Sequence, residues 1–158
     1  MIQENVTNQL NYRIVVKYWV PVFLWVGFTF WMSTGTFSAS NTSRIIEPLL
    51  RYLMPHMPDA DVKWILGAIR KLAHVTEYFI LGLFLFRAFR SDSGDLKAWR
   101  WAFYSLLAIV LFAAGDEFHQ SFVGTRTASI MDVSLDTLGG FLAQCAILLW
   151  KRRLPTDA

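Results

Sequence analysis

Four apolar stretches, each about 20 residues long, dominate this chain. The hydrocarbon core of a bilayer is about 30 Å thick and takes roughly 20 apolar residues of helix to cross, so each stretch is long enough for one passage. They cover about residues 15–35, 68–89, 101–119 and 130–150. The last three are each polar at one end and apolar at the other. The first lies too far from the N-terminus, and is too aromatic, for a cleaved signal peptide. A soluble domain rarely combines 54% hydrophobic and 16% aromatic residues with only 17% charged ones. The expected fold is therefore all-α: an integral membrane four-helix bundle, a single domain over residues 1–158.

The linker between the first two stretches is too long to be structureless. Glu47-Pro48 reads as a helix start, and Leu49, Leu50, Leu53, Met54 and Met57 follow as an apolar stripe. An interfacial amphipathic helix over about residues 47–57 is the expectation. Pro58-Asp59 offers a second helix start, leading through Val62, Ile65, Leu66 and Ile69 into the second passage.

Charge sets the orientation. With four passages, nine basic residues (Arg13, Lys17, Arg87, Arg90, Lys97, Arg100, Lys151, Arg152 and Arg153) share one side and six the other. The positive-inside bias then predicts cytoplasmic N- and C-termini in the cell membrane. Eight of the twelve acids and all three histidines fall on the opposite, extracytoplasmic side. Basic residues flank apolar helices rather than forming a patch, which excludes nucleic acid as a partner. Cys145 is the only cysteine, so no disulfide forms within the chain.

Three helices carry the polar residues to that side. At 100° per residue, Lys71, His74 and Tyr78 form one stripe, with Glu77 about 60° from His74. Asp116, His119 and Gln120 share a face at the end of the third passage, with Glu117 off to one side. Ser129, Asp132, Asp136 and Gly140 form a stripe on the fourth, and the loop before it supplies Arg126. Simpler roles compete: Ser129-x-x-Asp132 is a capping pattern, Lys71 can snorkel to the headgroups, and a buried Glu–His pair can be structural. Yet charges within a membrane are costly and mark function by default.

The run K71-L-A-H74-V-T-E-Y78, the block D116-E-F-H-Q120-x5-R126 and D132 followed by G139-G140 resemble the VanZ-like family over roughly residues 69–149. Two positions depart from its pattern: Val123-Gly124-Thr125 stands where a proline is usual, and Asp136 where asparagine is common. The family is named for a protein associated with low-level teicoplanin resistance, and most members have no established activity. The resemblance implies a role in the cell envelope linked to antibiotic resistance, without supplying a mechanism.

Three functions compete. The first is binding, with Lys71, His74, Tyr78, Glu117, Gln120, Arg126, Asp132 and Asp136 holding an anionic lipid headgroup, a lipid-linked envelope precursor or a lipoglycopeptide. The second is a hydrolase or transferase acting on a lipid-linked substrate. Glu77, Asp116 and His119 would then be catalytic, since a desolvated carboxylate can serve as acid or base. His74, Glu77, Asp116 and His119 would be the ligands of a divalent metal ion, if that enzyme used one as cofactor. The third is a proton-coupled transporter or flippase, disfavoured because the inner halves of the helices are apolar. Membrane lipids are partners in each, and an oligomer is open.

Overall fold

The computed structural model describes residues 12–33, 39–91, 98–122 and 129–153, with the side chains of 39–42 and 151–153 left aside. Every described element is helical: α1 (Tyr12–Met32), α2 (Ala39–Leu53), α3 (Asp59–Arg90), α4 (Ala98–Gln120) and α5 (Ile130–Arg153). Four of these, α1, α3, α4 and α5, are long and apolar enough to cross a membrane. The molecule is an all-α bundle of four such helices, with α2 as an additional short helix between the first two.

Pro21 shapes α1. It has no N–H to offer the carbonyl of Lys17 and would crowd it in a regular helix. The turn before it, Val15–Trp19, is a π-helix, with the Val20 N–H bonded to the Val15 carbonyl, and this wider turn absorbs the mismatch. α1 then continues regularly over Val20–Met32.

α2 begins earlier than the sequence reading placed it. Pro48 lies inside the helix rather than at its start, and the helix ends at Leu53 rather than about residue 57. Pro55 explains the end, because the residue before a proline is pushed out of the helical region. Pro48 is exposed and costs the helix one hydrogen bond. Ile45, Leu49, Tyr52 and Leu53 are all exposed, an apolar face without cover among the described residues. Arg51 ties α2 to the start of α3, donating from Nη2 to Asp59 Oδ1 at 2.7 Å and from Nε to Glu47 Oε1 at 2.9 Å. The two acids hold the Arg51 guanidinium above its ordinary pKa.

With 32 residues, α3 is about 48 Å long and exceeds the hydrocarbon core by more than half. Its first turn carries Asp59 and Asp61 and its last Arg87 and Arg90, each end matched to the helix dipole. It is the central helix, packing against the other four. Its closest neighbour is α5, and the two run parallel. His74, at the middle of α3, meets Asp136, near the start of α5, and Gly82 meets Gly140 and Ala143 two turns further on. Small residues make this approach possible, since a methyl group on Gly139 would fall on the Val75 carbonyl oxygen. α4 runs antiparallel and sets Ile109 against Gly140.

Tyr78, Leu81, Leu85, Ile109 and Ala113 form the apolar core, joined by Tyr18 and Val22 of α1. At the α1-start end, Trp19 packs edge-on against Phe89 at 5.4 Å and Arg87 lies over the Tyr18 ring. Large apolar side chains on the outer faces, among them Leu24, Trp31, Leu107, Leu111 and Leu149, are exposed. Hydrocarbon is the solvent that such faces suit.

A buried polar cluster at one end of the bundle

Because α1 and α4 run one way and α3 and α5 the other, the ends of α1 and α4 and the start of α5 meet around the middle of α3. α1 brings Thr29 and Ser33, both buried, to that level. α4 brings Asp116, Glu117 and Gln120, at 4%, 5% and 0% exposure. α3 brings His74, Glu77 and Tyr78, and α5 brings Asp132 and the fully buried Asp136.

The bonds among them form three groups. Gln120 donates from Nε2 to Ser33 Oγ at 2.7 Å and to Asp116 Oδ2 at 2.9 Å, fastening the end of α1 to α4. Glu117 Oε2 accepts the Ser129 backbone N–H at 2.7 Å and so holds the start of α5. His74 Nδ1 lies 3.1 Å from Asp136 Oδ1, joining α3 to α5. The groups are close enough to act on one another. Tyr78 lies within the fields of Asp136, Asp116, Glu77 and Glu117, and His74 within those of Asp136, Glu77 and Asp132.

One oxygen of nearly every buried member stays unused. Asp116 Oδ1, Glu117 Oε1, Gln120 Oε1 and Asp136 Oδ2 have no hydrogen-bond partner among the described residues. Buried polar atoms are nearly always partnered, because an unmet acceptor in a low-dielectric interior costs about 1–3 kcal/mol. All four are acceptors, as is Gln144 Oε1 further along α5, while Trp101 Nε1, near the start of α4, is a donor; these two are also without a partner among the described residues. The four call for donors from water, a ligand or a proton.

The sequence reading gathered most of this cluster but misjudged its faces. Glu117, placed to one side of the Asp116 face, is as buried as Asp116. His119, expected on the buried face, is exposed and packs against the Phe30 ring of α1 at 5.8 Å. The buried arc of α4 runs through Ile109, Ala113, Asp116, Glu117 and Gln120, which leaves His119 at its edge. Asp116 and His119 are thus separated, and among the described residues no group of three or more His, Cys, Asp or Glu side chains is arranged to hold a metal ion. Lys71 is exposed, and Arg126 lies outside the described residues.

The expected Ser129–Asp132 cap is only half made. Ser129 Oγ accepts the Met131 N–H at 3.1 Å. The Ser129 N–H, which a reciprocal capping box would give to Asp132, goes to Glu117 instead.

Ser33 and Gln144 are polar members that the sequence reading did not single out. Gln144 is buried and donates from Nε2 to the Gly82 carbonyl at 3.1 Å. Its signal was the stripe Asp132, Asp136, Gly140 continued by four residues. Ser33 follows Thr29 by four residues at the end of an apolar helix, a weaker sign.

No curated protein and no solved structure matches the chain. A family model described as VanZ/LLP1 matches residues 18–151. The match includes α1, which the motifs alone did not reach, in keeping with the Ser33–Gln120 bond that makes α1 part of the polar end. The chain therefore belongs to the VanZ-like family, and it is a multi-pass membrane protein.

Proposed function

We propose that the polar end of the bundle lies at the extracytoplasmic face of the cell membrane and binds the headgroup of an anionic lipid, a lipid-linked envelope precursor or a lipoglycopeptide. The observation that carries this reading is the set of four buried acceptor oxygens without partners among the described residues. Hydroxyl or ammonium donors of a headgroup would complete them. Lys71, exposed beside the cluster, and Arg126 would attract the phosphate or carboxylate of the same molecule. Retaining a lipid-tailed glycopeptide at the membrane surface is the form of antibiotic resistance this reading accommodates.

Native mass spectrometry of the purified protein tests the reading. The wild-type protein is expected to keep a phosphate-bearing lipid under mild activation. Asp116→Asn, which replaces an acceptor by a donor at constant shape, should weaken retention about tenfold, or 1.4 kcal/mol. Equal retention by the variant, or only bulk-composition lipid on the wild type, would sink the proposal.

The orientation has its own test, in a Cys145→Ser background. A cysteine in place of the exposed Asp59 should react with a membrane-impermeant maleimide on intact cells, and one in place of the exposed Trp99 only after lysis. The reverse pattern would put the cluster at the cytoplasmic face.

One observation favours a catalytic reading as well. The Asp136 carboxylate fixes the His74 ring, an arrangement that orients an imidazole for proton transfer. Turnover of a lipid-linked phosphate ester, abolished by His74→Gln, would support a hydrolase or transferase.

A further inference from the structure

A cavity of about 370 Å³ lies between α1 and α3, lined by Trp25, Ile69, Leu72, Ala73, Thr76, Glu77 and Ile80. Ile69, Leu72, Ala73, Thr76 and Ile80 fall within an arc of about 100° on α3, so they form one continuous strip. From Ile69 to Ile80 the strip is about 16 Å long. One leaflet of the hydrocarbon core, half of about 30 Å, is about 15 Å deep. The cavity therefore matches one leaflet in length.

Its walls match hydrocarbon in chemistry. Most are aliphatic, and the Thr76 hydroxyl is turned back onto the Leu72 carbonyl at 2.8 Å, leaving little polarity on that wall. Trp25 stands near the foot of the strip, its indole N–H bonded to the Glu77 carbonyl at 2.9 Å and its ring against Phe84. That N–H is thus satisfied, and the ring presents an apolar surface. Arg70 and Lys71 stand level with the upper end.

Glu77 occupies the seam. It lies about 40° beyond Ala73 around α3 and about 60° short of His74. Its charge acts on both His74 and Tyr78. The apolar strip and the buried polar cluster thus adjoin along one side of a single helix.

We infer that this groove seats one acyl chain of an outer-leaflet lipid, entering sideways from the bilayer, so that the headgroup is delivered to the polar cluster along the Glu77 edge of α3. The identity of the bound molecule rests on the headgroup reading above; the seat itself does not.

Photocrosslinking locates the chain. The protein is reconstituted in phosphatidylcholine vesicles containing phosphatidylglycerol with a diazirine at mid-chain, irradiated and mapped by peptide mass spectrometry. Crosslinks at Leu72, Ala73 and Thr76 should exceed those at the outward-facing Leu107, Leu111 and Phe141 at least fivefold. Ala73→Trp, at an exposed position that fills the groove, should reduce them at least fivefold. Labelling spread evenly over all these positions overturns the inference, and this wild-type result depends on no variant. Crosslinks that persist in Ala73→Trp overturn it too. The two proposals fail separately: even labelling with Asp116-dependent retention removes the groove alone, and focused labelling with Asp116-independent retention removes the headgroup site alone.

Discussion

Replacing His74 by leucine is expected to destabilise the protein by about 3 kcal/mol, because it strands Asp136 in the interior without its partner. Asp136 is fully buried, and His74 Nδ1 is its only hydrogen-bond partner among the described residues. Replacing both residues by leucine should recover most of the loss, since an apolar pair of similar volume avoids the desolvation cost that the polar pair carries. Thermal unfolding in one detergent distinguishes the two variants. A fall of roughly 10 °C is expected for the single variant, and a much smaller one for the double. Equal falls would mean that the pair contributes packing alone.

The second large effect is expected at Gly139. An alanine methyl there would fall on the backbone carbonyl of Val75. A backbone wall cannot rotate away, so α5 must move off α3, at a cost of about 3 kcal/mol. The same shift would lengthen the His74–Asp136 contact one turn earlier, so ligand retention should fall together with stability. Gly140→Ala meets the side chain of Ile109, which is buried and β-branched but not backbone, and about 2 kcal/mol is expected. Gly27→Ala is the control. Nothing lies within 4 Å of its added carbon, and its effect should stay within about 0.5 kcal/mol. A ranking in which Gly27 matters as much as Gly139 would refute the close packing of α3 on α5.

The span architecture was legible because lipid demands long apolar helices, and composition alone reports their presence. The second helix start at Pro58-Asp59 was equally plain, since a proline and two first-turn acids signal it locally. The start of α2 was not. Glu47-Pro48 imitates a helix start, and only tertiary context reveals that the helix already runs through it. The polar cluster was legible as a set of residues but not as a set of faces. Helical periodicity relates His119 to Asp116 and Gln120 correctly, yet it does not say where the buried arc is centred. That centre is decided by which neighbours α4 meets, and α1 takes Gln120 while leaving His119 against Phe30. The partner of Glu117 was hidden for the same reason: it is the backbone N–H of Ser129, which no side-chain pattern announces.

The bond from Gln120 to Ser33 spans 87 positions of sequence, and the contact between Asp136 and His74 spans 62. The polar end is thus assembled from all four passages and exists only once the last has entered the membrane. Until α5 arrives, Glu117 lacks the Ser129 N–H and His74 lacks Asp136. Hydrocarbon offers no substitute donors. During biosynthesis the first three helices must therefore be kept near water, or near the insertion machinery, until the fourth is released. A truncated chain lacking α5 would be a substrate for membrane quality control rather than a smaller version of the same protein.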